Sequence, residues 1–202
     1  VKNIKPDIAI ISNPSSLHID SALKASSSIK GIFIEKPISN NLTGCNQLIE
    51  LLDDKNVTSF VGHNLMFHPM IKEIKNFIHE NNIGKIINIQ CQVGQWLPDW
   101  HPYEDYTKAY YARKDLGGGV ALSLIHEIHL ALDLAGLPTH VFGEITEYQK
   151  LNLEVDVCSD LMIKHKSGAV SQIHLDFLQR PSHRSGLVTF EKAWLSYDFS
   201  KM

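Results

Sequence analysis

Residues 31–39 read GIFIEKPIS, an apolar run from Gly31 to Ile34 that stops abruptly at Glu35, Lys36 and Pro37. Successive apolar residues with no polar alternation indicate a strand buried on both faces, and a proline ends its ladder by removing a backbone donor. The same grammar continues on either side. Upstream, DIAIIS (7–12) is another apolar run closed by Asn13-Pro14, and SLHIDSALKAS (16–26) carries Leu17, Ala22, Leu23 and Ala25 at helical spacing, with Ser15 or Ser16 as its cap. Downstream, NNLTGCNQLIELLDD (40–54) puts Leu42, Leu48, Leu51 and Leu52 on one helical stripe, and VTSFVG (57–62) is a third strand. Strand, helix, strand, helix, strand predicts an α/β unit: a doubly wound parallel sheet with right-handed crossovers. Ligands bind such sheets at the carboxyl ends of the strands. Three strand ends are therefore candidate site segments: Ser12-Asn13-Pro14, Glu35-Lys36-Pro37 and Gly62-His63-Asn64.

Beyond residue 66 the pattern changes. A helix is predicted from His68 to about Asn81, stopped by NNIG, and KIINIQCQVGQWL (85–97) reads as a strand. A helix from Gly119 to about Ala135 follows. Then come five strand-like runs: THVFGEITEYQ (139–149), VCSDLMIKH (157–165), AVSQIHLDFL (169–178), LVTFE (187–191) and WLSYDF (194–199), with Lys166-Ser167-Gly168 as a hairpin turn. Helices followed by hairpin-linked strands predict an α+β domain with a large, mainly antiparallel sheet. The expected division is a nucleotide-binding part at 1–66 and a substrate and assembly part at 67–202.

Composition narrows the function. The 202 residues are 44% hydrophobic and 20% charged, ordinary values for a globular protein, which sets aside disordered and fibrous classes. A net charge of −3 gives no reason to expect nucleic acid as a partner. Cys45, Cys91 and Cys158 are odd in number and far apart, as reduced thiols of a cytoplasmic protein would be. No apolar run reaches the ~18 residues of a membrane span, and no stretch reads as a signal peptide, so no membrane partner is expected.

The ordered set NP (13–14), EKP (35–37), GHNLMFHP (62–69) and GGGVALSLIHEIH (117–129) resembles the Gfo/Idh/MocA family of nicotinamide-dependent oxidoreductases. WLPDWHP with DYTKAYYARKDLGGG (96–119) is similar to a branch associated with bacterial surface-sugar metabolism. The resemblance implies NAD or NADP as cofactor and hydride transfer at a hydroxyl or keto carbon of a sugar, nucleotide sugar or polyol. It also implies a homo-oligomer, dimer or tetramer, joined through the antiparallel sheet. No G-x-G-x-x-G occurs in the sequence. By comparison with the family, the chain is expected to be part of a longer polypeptide, with little dinucleotide affinity or activity of its own.

Carried over residue by residue, the resemblance gives two catalytic residues. Lys36, held extended by Pro37, would place an ammonium on the reacting substrate oxygen. His126 would exchange the hydroxyl proton. Ser12, Asn13, Pro14, His18, Glu35, Lys36, Pro37 and Asn64 are implied on the cofactor side. Asp105, Tyr106 and Ser123 are implied with Lys36 and His126 on the substrate side. Helical spacing groups Ser123, His126 and Asp133 on one face. Weaker candidates are Tyr110, Trp96, Trp100, His183 and Arg184, while His68 is expected to cap its helix. The sequence departs from the family at Ser123, usually an aspartate, and at His129, usually acidic in this branch. The alternative reading is therefore a sugar- or dinucleotide-binding relative without turnover. HEIH spaces its histidines i, i+3 rather than the i, i+4 of the zinc helix motif, which ranks a metal-dependent hydrolase last and predicts no metal site.

Overall fold

The structure, a computed structural model, describes residues 6–201; the ends of the two expected segments, 1–5 and 202, lie outside them. Strands β1 (Ile8–Ile11), β2 (Gly31–Ile34) and β3 (Thr58–Val61) form a parallel sheet in the order β1-β2-β3. Helices α1 (His18–Ala25) and α2 (Cys45–Asp54) are the crossovers. Ile11, Ile19, Ala22, Ile32, Ile34, Leu48 and Leu52 make this layer's core. β1 pairs only with β2 among the described residues, and its Ile8 and Ile10 are exposed.

Two local expectations change. Ser15 and Ser16 do not cap α1: they begin a 3-10 turn, Ser15–Leu17, and no side chain caps either element. Leu42 lies outside the stripe of α2 and is 88% exposed, because Gly44, at φ 76°, breaks the chain before the helix begins at Cys45.

After β3, α3 (Pro69–Glu80) is capped by His68, whose Nδ1 accepts the Met70 N–H at 3.2 Å. The second sheet holds β4 (Ile86–Gly94), β5 (Pro138–Thr146), β6 (Cys158–His165), β7 (Val170–Asp176), β8 (His183–Phe190) and β9 (Trp194–Asp198), in the order β5-β6-β7-β4-β8-β9. Every pairing is antiparallel except β4 with β7. One face covers the main core, including Ile89, Cys91, Val93, Ile173, Leu175, Phe177 and Val188.

The helix expected over 119–135 is two helices, α4 (Val120–Ser123) and α5 (His126–Ala135). Leu124 leaves helical geometry at φ −101°, ψ 30° between them. Ser123 and His126 consequently do not share a continuous helix face with Asp133, which instead pairs with Lys75 of α3 at 2.7 Å. The break positions the site.

Candidate active site

Lys36 leaves the carboxyl end of β2 and reaches the break between α4 and α5. Its Nζ donates to the Ser123 carbonyl oxygen at 2.7 Å. The last carbonyls of a helix lack intrahelical donors and carry the negative end of its dipole, so an ammonium is well matched there. At Ser123, where the resemblance implies an aspartate, it is the backbone oxygen that holds the lysine. Burial pushes the Lys36 pKa down, Glu35 opposes the shift, and Arg184 adds to it.

His126 opens α5 at 9% exposure, and its buried Nδ1 has no protein partner among the described residues. Burial first, then Lys36, Arg184, His63 and His129, lower its pKa to about 3, so the ring is neutral at ordinary pH. His63, from the end of β3, stacks flat on His129, with ring centroids 3.6 Å apart and planes 3° from parallel. It meets His126 edge-on at 6.0 Å. Burial, His129 and Lys36 bring His63 to about 4, and burial also lowers His129. The Nδ1 atoms of all three rings are buried and partnerless among the described residues. Behind them Glu127, 1% exposed, is paired with Arg184 of β8.

His18, buried in α1, sits between the carbonyl oxygens of Pro37 (2.8 Å from Nδ1) and Asn13 (2.7 Å from Nε2), tying the ends of β1 and β2 together. Asn13 uses its side-chain amide on Ser21 at 2.9 Å. Ser12 and Asn64 are exposed, Pro14 is half-buried, and Pro37 is buried. Glu35 accepts the Lys36 backbone N–H at 3.2 Å. The glycine run closes on this edge: Ser15 Oγ donates to the Gly117 carbonyl at 2.9 Å. Gly117, at φ 80°, leaves no room for a Cβ against Ser15 and Asn40.

Other expected residues are occupied locally. Asp105 accepts from Thr107 and pairs with Lys108 at 3.2 Å on the surface, and the Tyr106 hydroxyl donates to the Leu151 carbonyl at 3.4 Å. Trp96 lies under Arg180, and Trp100 packs edge-on against Tyr111 and Phe177. Burial first, then the charge of Glu35, raises the pKa of Tyr110. His183 bonds Ser185 and Ser200 on the open face of the second sheet, away from Lys36. Sequence reading placed His63 at a strand end and His129 at a departure from the family without joining them. It treated Glu127 as unremarkable. Their contacts are tertiary, and only the density of histidines at 63, 126 and 129 signals them.

A model of the "GFO/IDH/MocA C-terminal domain" matches residues 71–196, and one of the "Oxidoreductase family, NAD-binding Rossmann fold" matches residues 1–63. The chain belongs to the Gfo/Idh/MocA family. Among curated members of that family, levoglucosan dehydrogenase of Pseudarthrobacter phenanthrenivorans is 30% identical over 135 residues, 65% of this chain and 34% of the relative. The uncharacterized oxidoreductase YrbE of Bacillus subtilis is 32% identical over 142 residues, 70% of this chain and 37% of its own length. In fold, the chain is similar to the WlbA dehydrogenase of Bordetella pertussis, solved with NADH and UDP-GlcNAcA. That match has a TM-score of 0.85 at 19% identity and covers 95% of this chain and 55% of the other. The chain thus spans about a third of these curated Gfo/Idh/MocA relatives and about half of the solved one.

Proposed function

We propose that this chain supplies the catalytic residues of an NAD(P)-dependent dehydrogenase acting on a hydroxyl carbon of a sugar, nucleotide sugar or polyol, with Lys36 and His126 as the catalytic pair. The observation that carries the proposal is the Lys36–Ser123 contact at 2.7 Å beside a buried, partnerless His126 Nδ1. A buried polar atom left unpaired is costly, and a substrate hydroxyl would satisfy it.

The fit of the nicotinamide is supported by the strand ends: Lys36 leaves the carboxyl end of β2 and His126 meets His63 just past the end of β3, where Asn13, Pro14, Glu35, Pro37 and Asn64 would edge it and His18 would hold the edge in shape. When bound, the cofactor supplies a two-electron hydride acceptor or donor. The chain's own residues do the rest. Lys36 exchanges its bond to Ser123 for one to the substrate oxygen and stabilises the charge that develops there. Neutral His126 accepts the hydroxyl proton as the carbon loses hydride, and the negative oxygen between the two raises the basicity of the ring during transfer. Once protonated, His126 is repelled by Lys36 and Arg184, so it releases the proton to solvent as the carbonyl product leaves. In the reductive direction the order reverses. Ser123, Asp105 and Tyr106 are proposed as contacts to the other substrate hydroxyls, the last two after release of their present partners.

The reading extends to a cytoplasmic homo-oligomer joined through the open face of the six-stranded sheet. The test of catalysis is hydride transfer by the whole protein with Lys36→Met and His126→Ala. Loss of turnover in both with cofactor affinity nearly unchanged is the expected result. Turnover within a few-fold of the parent in either variant overturns the assignment.

A further inference from the structure

The open face of the second sheet carries a group of side chains that the hydride-transfer reading does not use. Cys158 and Asp160 are two apart on β6, and His174 and Asp176 are two apart on β7, so each pair points to one face. The antiparallel register sets Asp160 opposite His174 and Cys158 opposite Asp176. Two protons converge on one carboxylate: Cys158 Sγ donates to Asp160 Oδ2 at 3.6 Å, and His174 Nδ1 lies 2.7 Å from Asp160 Oδ1. Sulfur, oxygen and nitrogen donors all fall within 4.8 Å of one another.

We propose that Cys158, Asp160 and His174 bind a divalent cation of the zinc class. Tetrahedral zinc at its usual bond lengths needs donors about 3.3–3.6 Å apart, and the present separations bracket that range. Binding would displace the two converging protons. A thiolate and a carboxylate would then balance the two positive charges, and imidazole would be the neutral third donor. The group behind the ligands supports the same conclusion. His174 Nε2 lies 3.1 Å from Asp176 Oδ2, the carboxylate support that fixes ring and tautomer in histidine–metal sites. Asp176 is 5% exposed, and its other oxygen accepts the Leu178 and Gln179 N–H groups, each at 2.7 Å, so the support is itself held. Asp160 and His174 also line a trough of about 730 Å³ running across the sheet, the face that the proposed assembly covers, so the fourth position falls to water held there or to a donor of the second copy. The i, i+3 histidines of α5 form no such donor set among the described residues. This site comes from strand register, which the sequence alone does not display.

The test is titration of the purified chain with Co²⁺, a spectroscopic substitute for zinc. The expected result is a near-ultraviolet thiolate-to-cobalt band with tetrahedral visible bands, both removed by added Zn²⁺. Cys158→Ser should lose the near-ultraviolet band. Asp176→Asn keeps all three donors and should weaken binding 10- to 100-fold, so it decides the matter if the serine variant does not fold. No thiolate band in the parent chain, a band unchanged in Cys158→Ser, or full affinity in Asp176→Asn overturns the proposal.

Discussion

Arg184 grips Glu127 with two parallel contacts, Nε to Oε1 at 2.6 Å and Nη2 to Oε2 at 3.0 Å. Glu127 lies on α5, next to His126, and Arg184 on β8 across from Val93 of β4, so the pair fastens α5 to the sheet beneath it. The planar guanidinium matches a carboxylate in this two-pronged way, and lysine could not reproduce it.

Breaking one side of this pair strands a charge in the core. Arg184→Met should cost about 3–5 kcal/mol of folding stability, whereas Arg184→Met with Glu127→Leu should recover much of the loss. Urea unfolding of both variants checks this. Equal losses in the single and double variants would show that packing, not the stranded carboxylate, sets the cost.

Stability should fall on acidification in a defined window. His126 titrates at about 3 and His63 at about 4 in the folded protein, against about 6.5 for an unperturbed histidine. The unfolded chain therefore binds protons that the folded chain refuses. The stabilising contribution is whole above pH 6.5 and drains away as pH falls towards 4 and then 3. For His126 alone the slope approaches about 1.4 kcal/mol per pH unit. Urea midpoints at pH 7.5 and pH 5 measure it, and His126→Gln should flatten the dependence.

Gly117→Ala should lose more than about 1 kcal/mol, because its φ of 80° suits glycine and a methyl group would strike Ser15. Gly136→Ala is the control. It too has positive φ, yet nothing lies within 4 Å of its added methyl, so it should suffer only the backbone penalty. Thermal midpoints of the two variants compare steric and conformational costs directly.

Assembly has its own test. Phe142, 71% exposed, and Met162, 50% exposed, line the trough on the open sheet face. Exposed apolar surface of this kind marks contact faces. Phe142→Glu should lower the sedimentation coefficient of the whole protein to that of a monomer, and an unchanged coefficient would overturn the proposed assembly through this face.

The parallel sheet could be read because β1 and β2 are unbroken apolar runs that stop just before Asn13-Pro14 and at Glu35-Lys36-Pro37, while β3, with Thr58 and Ser59, followed from the strand-helix alternation around it. The role of Lys36 was carried over from the family resemblance, while the place where its side chain begins was legible for the same reason, a strand end. The break at Leu124–Ile125 was not, since LSLIHEIH holds no proline or glycine and its apolar spacing suits one continuous helix. Ser15 illustrates a second limit. A serine before a helical run reads as a cap, yet its hydroxyl is spent on Gly117, 102 residues away. The His63–His129 stack and the Glu127–Arg184 pair also join distant segments, and no local periodicity encodes such contacts. β8 began four residues earlier than its apolar core indicated, because His183, Arg184, Ser185 and Gly186 pair with β4 without looking like a strand.

The Ser15–Gly117 contact also bears on the order of folding. The first three strands and two crossover helices use contacts close in sequence and can consolidate while the rest of the chain is still being synthesised. The lysine's perch on Ser123 cannot form then: closing a loop of this span carries an entropic cost that only a finished second sheet can offset. Assembly of the Lys36–Ser123 contact is thus a late event. A nascent chain with its three-stranded layer already formed still lacks both the Lys36–Ser123 contact and the stack of His63 on His129, so the two ends of this cluster meet only when the second sheet is in place.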